Sequence, residues 1–590
     1  MPPQSTFNNL RNIFSHLSRR RFIQLGALFI VMLLSGAVEL VSLGAVLPLL
    51  AVLSDQERVW QQPLVQTTAS LVGFTQASQI VLPITLLFII TALLAALIRI
   101  GNLRLNGYLA AAVGYDLSYE AYRRTLYQPY GVHVQRDSAS VITALTAQIS
   151  GTVAALSALF QLITSAIVAT GLMACLLLIN WIVALGAATL FGSLYFILAI
   201  TTRKVLRRNS ERIAAMSKQR IKLLQEAFGS IRDVILAGNQ QVYLEIYLQA
   251  DRVGRILQVE NQYLSVFPRY ALEAVAMISI AILGLLQVSK QGAGGSVIPL
   301  LGSLALGAQK LLPSLQQMYS GWSILGAFNA DLIGVLAMLN QPLQSFVSVV
   351  EPLKLRESVR LDGVYFRYGP ECPEVLHGLD VEIYRGERFG FIGSTGSGKS
   401  TTVDLLMGLL EPTAGRVLVD GADLYDSGHP ELLVAWRASI AHVPQSIYLA
   451  DCSIAENIAF GVPRHEIDLD RVKQAAEEAQ IASFIEASPG AYQGFVGENG
   501  IRLSGGQRQR IGIARALYKQ SKFIIFDEAT SALDSDTENA VMSMVECLSK
   551  ELTIVVIAHR LSTVRRCDRV IRLAQGKKVD EGAPEQVLID

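Results

Sequence analysis

The stretch ERFGFIGSTGSGKSTTVDLLMGLL, residues 387–410, joins an apolar run typical of a strand to a helix through a glycine-rich loop. Within it, Gly393, Gly398, Lys399 and Ser400 match the phosphate-loop pattern G-x-x-x-x-G-K-[ST]. The glycines let backbone N–H groups curl around phosphate oxygens, the lysine reaches the β- and γ-phosphates, and the serine hydroxyl ligates Mg²⁺. The segment therefore predicts an α/β nucleotide-binding domain. The residues expected to contact ATP here are Gly393, Ser394, Thr395, Gly396, Ser397, Gly398, Lys399, Ser400 and Thr401.

Two further runs predict buried central strands of the same domain. KFIIFDE (522–528) and LTIVVIAH (552–559) are continuously apolar, and each ends in acidic or histidine residues. Open α/β sheets bind ligands at the carboxyl ends of their parallel strands. We therefore expect Asp527 to hold Mg²⁺, Glu528 to act as general base on the attacking water, and His559 to contact the γ-phosphate.

The N-terminal half has the composition of a membrane domain. The chain has 590 residues with 50 basic and 49 acidic side chains, a balance that argues against a nucleic-acid partner. Residues 138–202 contain no charged side chain. As one helix they would extend about 98 Å, whereas a bilayer core is about 30 Å thick. The segment must therefore turn back, and Asn180-Trp181 is the expected turn between two spans.

Six spans are predicted in all, because four more apolar runs occur at 22–53, 80–110, 271–288 and 298–327. The basic cluster 19–21 precedes the first span, which places the N-terminus in the cytoplasm of a multi-pass inner-membrane protein. Basic loops after spans two and four, near 123–137 and 218–250, are expected on the cytoplasmic side, as is the C-terminal half. The predicted domains are 1–350, transmembrane, and 351–590, nucleotide-binding.

Several motifs, taken in order, resemble those of the ATP-binding-cassette (ABC) exporters over nearly the whole chain. They are Tyr368 in VYFRYGP, the phosphate loop, Gln445 in AHVPQ, RLSGGQ at 502–507, FDEATSALD at 526–534, and His559. The resemblance implies a six-helix transmembrane α-bundle followed by an α/β P-loop nucleotide-binding domain. It also implies that Tyr368 stacks on adenine, that Gln445 serves catalysis and Mg²⁺, and that Asp534 belongs to the composite ATP site.

The resemblance further implies a homodimer that hydrolyses ATP to drive transport, in which the loops near 123–137 and 218–250 couple the two domains. In this family two cassettes meet head to tail, so that one chain closes on the ATP held by Lys399 of the other. The closing residues are Ser504, Gly505, Gly506 and Gln507. A helix starting at Gly506 would present its positive end to the γ-phosphate.

Ionisable residues within the spans point to an anionic cargo, because such residues are costly in a membrane and usually line a pathway. The candidates are Glu39, Arg99, Arg269 and Lys310. The alternatives are structural: Arg269 could pair with Glu273, and Lys310 could extend to the membrane surface.

A looser resemblance concerns the cargo itself. GAVELVSLGAVLPLL (36–50) and FPRYALE (267–273) are similar to the bacterial flippases of lipid-linked oligosaccharides, which implies a polyprenyl-pyrophosphate glycan. Trp60, Leu64, Leu71 and Phe74 fall on one face of an external helix expected on the outer leaflet, although a passive loop is the alternative. Lipid A flippases, multidrug or peptide exporters, and a membrane-tethered regulatory ATPase also remain open.

Overall fold

The described residues form two compact units. The computed structural model of the protein describes residues 6–54, 56–62, 65, 74, 76–179, 181–291, 297–343, 351–528, 552–557 and 564–588. Those within 1–128 and 136–343 form the first unit. Those within 129–135 and 344–590 form the second, which therefore includes a short segment from the N-terminal half.

The N-terminal half is helical throughout its described part. Its helices are α1 Thr6–Ser15, α2 Arg19–Ser54, α3 Gln56–Trp60, α4 Val81–Leu126, α5 Tyr130–Gln135, α6 Ser138–Thr143, α7 Ile149–Ile179, α8 Trp181–Gly229, α9 Ile231–Leu236, α10 Gln240–Gln291, α11 Val297–Ala327 and α12 Asn329–Leu339. A single 3₁₀ turn, Ala77–Ile80, precedes α4, and a π-helical turn, Ala144–Gln148, joins α6 to α7.

Six long helices lie at the six apolar runs that the sequence marks as spans. Helix α7 ends at Ile179 and α8 begins at Trp181, while Asn180, the first residue of the predicted turn, lies outside the described residues. Within the described residues, four helical segments are long and apolar enough to cross a bilayer on their own. A fifth is added if Leu311–Ala327 and Asn329–Leu339, which bend by 52° at their junction, form one span.

The chain turns within both predicted loops, at 127–137 and at 230–239, and the basic residues beside these turns continue the helices. Helix α4 has 46 residues and α8 has 49, or about 69 and 74 Å, well beyond a bilayer core. Ion pairs support the charged extensions: Arg124 contacts Glu120 one turn away at 2.6 Å, and Arg220 contacts Asp251 of α10 at 2.7 Å.

The segment predicted to be external packs against helix ends in its described part. Trp60 and Phe74 both contact a small cluster formed by Val52 and Ile80, which lie at the ends of α2 and of the turn before α4. Leu64 and Leu71, two members of the predicted apolar face, lie outside the described residues.

The second unit contains two sheets. Its strands are β1 Ser358–Phe366, β2 Leu376–Tyr384, β3 Arg388–Ile392, β4 Ala414–Val419, β5 Ala422–Asp423, β6 Ile440–Val443, β7 Phe523–Asp527, β8 Thr553–Ile557, β9 Arg569–Ala574 and β10 Lys577–Gly582. The smaller sheet has the order β2-β1-β4-β5 and its pairs are antiparallel. The larger has the order β10-β9-β3-β8-β7-β6, and only its β9–β10 pair is antiparallel.

The two runs predicted as central strands are β7 and β8, which lie beside β3 in the parallel part of the larger sheet. Phe389, Phe391 and Phe523 from this sheet are buried with Trp436 in one core cluster. The helices of this unit are α13 Lys399–Leu406, α14 Pro430–Ser439, α15 Ile454–Ile458, α16 Leu469–Glu478, α17 Ala482–Ala487, α18 Gly505–Tyr518 and α19 Pro584–Val587. The order β3-β8-β7 brings three carboxyl strand ends to one edge, where the phosphate loop follows β3.

Candidate functional site

The phosphate loop between β3 and α13 has a backbone that requires glycine. Gly398 caps α13 in the left-handed region, with φ at +100°. Gly393 has φ at +151°, and a Cβ added there would lie 2.2 Å from the carbonyl oxygen of Leu573. The Lys399 Nζ atom folds back over the loop and donates to the carbonyls of Gly393 at 2.8 Å and Ser394 at 3.0 Å. The loop thus forms a cradle with its lysine held across it.

Lys399 lies in the field of two acidic residues. Lys399 is only 6% exposed, and this burial lowers the pKa of its side-chain amine. The carboxylates of Glu528 and Asp527 act in the opposite direction and raise that pKa. A cation and two acids therefore share one edge of the sheet, the arrangement that a phosphate with a divalent cation requires.

Glu528 is held by two neighbouring elements. Its backbone N–H donates to the carbonyl of Ile557, the last residue of β8, at 3.0 Å. Its carboxylate accepts a hydrogen bond of 2.6 Å from the Gln445 side-chain amide, which follows β6. The structure therefore brings together Lys399, Gln445 and Glu528, three of the residues that the sequence places at the site.

The residues predicted to hold Mg²⁺ offer a donor set that fits the ion. Ser400 presents an exposed hydroxyl at the start of α13, Asp527 a carboxylate at the end of β7, and Gln445 an amide oxygen. These are the oxygen ligands that Mg²⁺ prefers, and it usually keeps several waters and substrate phosphates. In the described part of the chain there is no group of three or more His, Cys, Asp or Glu residues suited to a metal, so such a site would be completed by phosphate and water.

Tyr368 lies beside the first turn of α13. Its hydroxyl is 3.1 Å from the Thr401 hydroxyl, and its ring packs edge-on against Phe366 with centroids 5.0 Å apart. The ring is half-buried. These two contacts fix an aromatic surface next to the phosphate loop, as stacking on adenine would require.

The residues of RLSGGQ form the start of α18. Ser504 caps this helix: its hydroxyl accepts from the Gln507 N–H at 3.3 Å, while the Gln507 side chain accepts from the Ser504 N–H at 2.8 Å. The helix begins at Gly505 and not at Gly506 as expected. Ser504 is exposed on the single chain, so the positive end of this helix is open to a ligand or a second chain. His559 and Asp534 lie outside the described residues.

A short helix of the N-terminal half belongs to this nucleotide-binding unit. The side chain of Gln135, at the end of α5, donates to the backbone carbonyl of Tyr368. A Cβ added to Gly131 would lie 3.6 Å from a methyl carbon of Leu410, which is ordinary contact distance. From the sequence this segment is expected to belong to a coupling loop, whereas its packing next to Tyr368 is visible only in the structure.

The membrane unit contains a polar cavity of about 500 Å³ between α2, α4, α7 and α11. Glu39 and Arg99, two of the four predicted cargo residues, both line it. Arg269 does not line this cavity and is exposed on α10. Lys310 belongs to α11, but its side chain lies outside the described residues.

The amide side chains that line this cavity are not among the candidate cargo residues identified from the sequence. They are Asn102, Asn106, Gln161 and Gln317. The available signal was their position inside apolar helices, with Asn102 and Asn106 one turn apart on α4. Because each is uncharged, none stands out in a search for ionisable residues.

Comparison with known proteins assigns the chain to a family. A family model described as ABC transporter matches residues 376–531. A protein of Chromohalobacter salexigens named ATP-dependent lipid A-core flippase is 31% identical over 465 residues, covering 78% of each chain. The chain belongs to the ABC exporters.

Two further comparisons support this assignment along the whole exporter. A Ralstonia nicotianae protein with the same name is 29% identical over 486 residues, covering 80% of this chain and 79% of the relative. The solved structure of a bacterial Atm1-family ABC exporter with ATP bound matches 97% of this chain and 96% of its own, with a TM-score of 0.78 and 25% identity. The predicted fold class, ATP binding and coupling of ATP hydrolysis to transport are confirmed.

Proposed function

We propose that this exporter is a homodimer that flips an anionic glycolipid across the bacterial inner membrane, with both termini in the cytoplasm. The observation that carries the proposal is the charged, polar cavity with Arg99 and Glu39 inside a bundle of apolar helices. The relatives named lipid A-core flippases favour lipid A-core as cargo. The motifs of spans one and five favour a polyprenyl-pyrophosphate oligosaccharide as the second candidate.

The two cargo candidates share one chemistry, because each joins phosphate groups to sugars on a lipid. In a cavity of low dielectric, a phosphate needs compensating charge, and the planar fork of an arginine can bind its oxygens in pairs. A hydrogen bond to a charged group is typically worth about 1.5–3 kcal/mol, which corresponds to roughly tenfold or more in affinity. Arg99 is the residue in this cavity that supplies such donors.

The nucleotide-binding unit supplies the driving reaction in this proposal. Lys399 binds the β- and γ-phosphates of ATP, and Ser504 and Gly505 of the second chain close over the γ-phosphate. Glu528 takes a proton from the attacking water. Mg²⁺ held by Ser400, Asp527 and Gln445 would neutralise phosphate charge when bound.

ATPase stimulation of the full-length protein in lipid vesicles tests the cargo. We expect stimulation by lipid A-core or by a polyprenyl-pyrophosphate oligosaccharide, and none by a hydrophobic cationic drug. Arg99→Ala should weaken the lipid response roughly tenfold in apparent affinity. The matched control is Arg104→Ala, whose guanidinium lies 5.5 Å from the ring of Tyr108 on the same helix and outside the cavity lining.

The alternative functions give different results in the same vesicles. Stimulation by the drug alone would identify a multidrug exporter. A lack of response to every lipid and drug would favour a regulatory ATPase. An Arg99→Ala variant with the lipid response of the wild type would show that this charge is structural.

A further inference from the structure

The cavity is bridged by hydrogen-bonded polar side chains from distant spans. The Ser165 hydroxyl donates to Gln317 Oε1 at 2.9 Å, and Gln161 Nε2 donates to the same oxygen at 3.2 Å. These bonds join α7 to α11 within the membrane unit. One side of the cavity is therefore lined by polar side chains that are hydrogen-bonded to one another.

The part of the lining that α4 contributes carries acceptors that are not satisfied. Asn102 and Asn106 are 3% and 4% exposed, and both line the cavity from α4. Asn102 uses its amide nitrogen to donate to the Thr164 hydroxyl at 3.4 Å. The Oδ1 atoms of both asparagines have no hydrogen-bond partner among the described residues. Buried acceptors without partners are unfavourable and rare, so two of them on side chains that line one cavity point to a ligand that donates.

The lining defines what that ligand must offer. The two amide oxygens accept hydrogen bonds, and the carboxylate of Glu39 adds a third acceptor at the same cavity. Arg99 contributes donors and a positive charge. A ligand with hydroxyl groups next to a phosphate can donate to these acceptors and accept from Arg99, whereas a tertiary amine or an aromatic drug cannot do both. The volume of about 500 Å³ lies in the range of ligand pockets, about 300–1,000 Å³.

We propose that Asn102 and Asn106 form a subsite for hydroxyl groups of the sugar nearest the phosphate of the transported lipid, while Arg99 binds that phosphate. This inference rests on the proposed flipping of an anionic glycolipid. It adds that the exporter distinguishes a sugar-bearing lipid from a phosphate lipid without sugar, and that this discrimination comes from uncharged amides.

Two pairs of lipids test the subsite with the full-length protein in vesicles. One pair is a polyprenyl-pyrophosphate oligosaccharide and bare polyprenyl pyrophosphate. The other is lipid A-core and cardiolipin, a sugar-free lipid with two phosphates. The readout is the concentration of lipid that gives half-maximal ATPase stimulation. The pair with the larger preference identifies the source of the sugar.

The variants are Asn102→Leu and Asn106→Leu, which keep side-chain size and remove the amide, including the donor that Asn102 offers to Thr164. Each should reduce the preference for the sugar-bearing lipid about threefold to tenfold, the usual effect of one neutral hydrogen bond, and leave the response to the sugar-free lipid nearly unchanged. The melting temperature of Asn106→Leu should equal or exceed that of the wild type, because an unsatisfied buried acceptor is gone. Thr189→Val is the control, since Thr189 is exposed on α8 and its hydroxyl donates to carbonyls of its own helix.

Three results would separate the subsite from the function on which it rests. Leucine variants that keep the full preference for the sugar-bearing lipid overturn the subsite. A wild type that responds equally to both members of each pair also overturns it and leaves the proposed function standing. A wild type that responds to no member of either pair overturns the proposed function itself.

Discussion

Glu528 has a backbone conformation that few side chains adopt. Its φ is +48°, in the left-handed region, which is uncommon for a residue other than glycine. Such conformations persist where the surroundings fix them, and they concentrate at active sites. Here the N–H of Glu528 is held by Ile557, and its carboxylate is held by Gln445. The orientation of the Glu528 carboxylate is therefore set by residues at the ends of β8 and β6 as well as by β7, which it follows.

Glu528→Gln should bind ATP but fail to turn it over. The amide cannot take a proton from the attacking water, and loss of a general base typically costs about 10²–10⁴-fold in rate. Steady-state ATPase and nucleotide binding by the full-length protein measure the two effects separately. Glu431→Gln, an exposed carboxylate on α14 that contacts His429, is the control expected to behave like the wild type. Near-normal turnover in Glu528→Gln would contradict its role as the base.

Asp404 of α13 predicts a pH dependence of stability. Burial raises the pKa of its carboxyl from 3.8 to about 6, and the nearby Asp527 adds to the shift. Because this pKa is higher in the folded than in the unfolded chain, the folded state binds more protons in this window. The contribution of Asp404 to stability therefore falls as the pH rises from about 4 to about 6, and above that pH the charged form is destabilising.

Asp404→Asn should raise the free energy of unfolding near pH 7 by roughly 1–3 kcal/mol and flatten its dependence on pH between 4 and 6. The melting temperature of the full-length protein across this range is the measurement. Asp451→Asn replaces an exposed acid and should leave the profile unchanged. A parallel displacement of the whole profile, with its slope retained, would show that Asp404 does not titrate in this window.

At the scale of elements, the sequence predicted those features of the fold that depend on short-range constraints or on apolar length. The phosphate loop was predictable because its glycine positions are short-range constraints on the backbone. The six apolar runs located the long helices because a bilayer demands apolar length. The lengths of α4 and α8 were not predictable from hydropathy, since their charged extensions are helical through ion pairs such as Arg124–Glu120. The cavity depends on four helices packing together, which no single run of residues reveals.

Helix α5 gives a prediction about coupling between transport and ATP hydrolysis. Gln135→Ala removes its hydrogen bond to the Tyr368 carbonyl, a loss typically worth about 1 kcal/mol, or roughly fivefold. We expect the amount of lipid flipped per ATP hydrolysed to fall by about that factor. His133→Ala, an exposed position on the same helix, is the matched control. If both variants flip lipid with wild-type yield, the contact of Gln135 does not transmit the cassette's motion.

At the scale of the whole molecule, one chain leaves an apolar surface exposed around α9. Phe228 is 70% exposed, Ile235 59% and Leu236 79%. Contiguous exposed apolar side chains mark interaction sites. The chain also carries one nucleotide-binding unit and one Ser504 helix end, whereas the composite ATP site that we propose needs both parts from different chains. We therefore expect a second identical chain to cover this surface.

Cysteine labelling tests whether a second chain covers the apolar surface around α9. The two cysteine variants are made in a background in which the five native cysteines are replaced. In the intact exporter, Leu236→Cys should react with a maleimide at least roughly tenfold more slowly than Val579→Cys. The reason is that burying such a side chain is worth about 1.5–3 kcal/mol. Val579 lies on β10 and is 62% exposed, which makes it the reference for a free surface. Diluting the detergent-solubilised protein until it dissociates should then accelerate labelling at position 236 and leave position 579 unchanged. Equal labelling of the two positions in the undiluted protein would mean that no second chain covers α9, and the homodimer would need another interface.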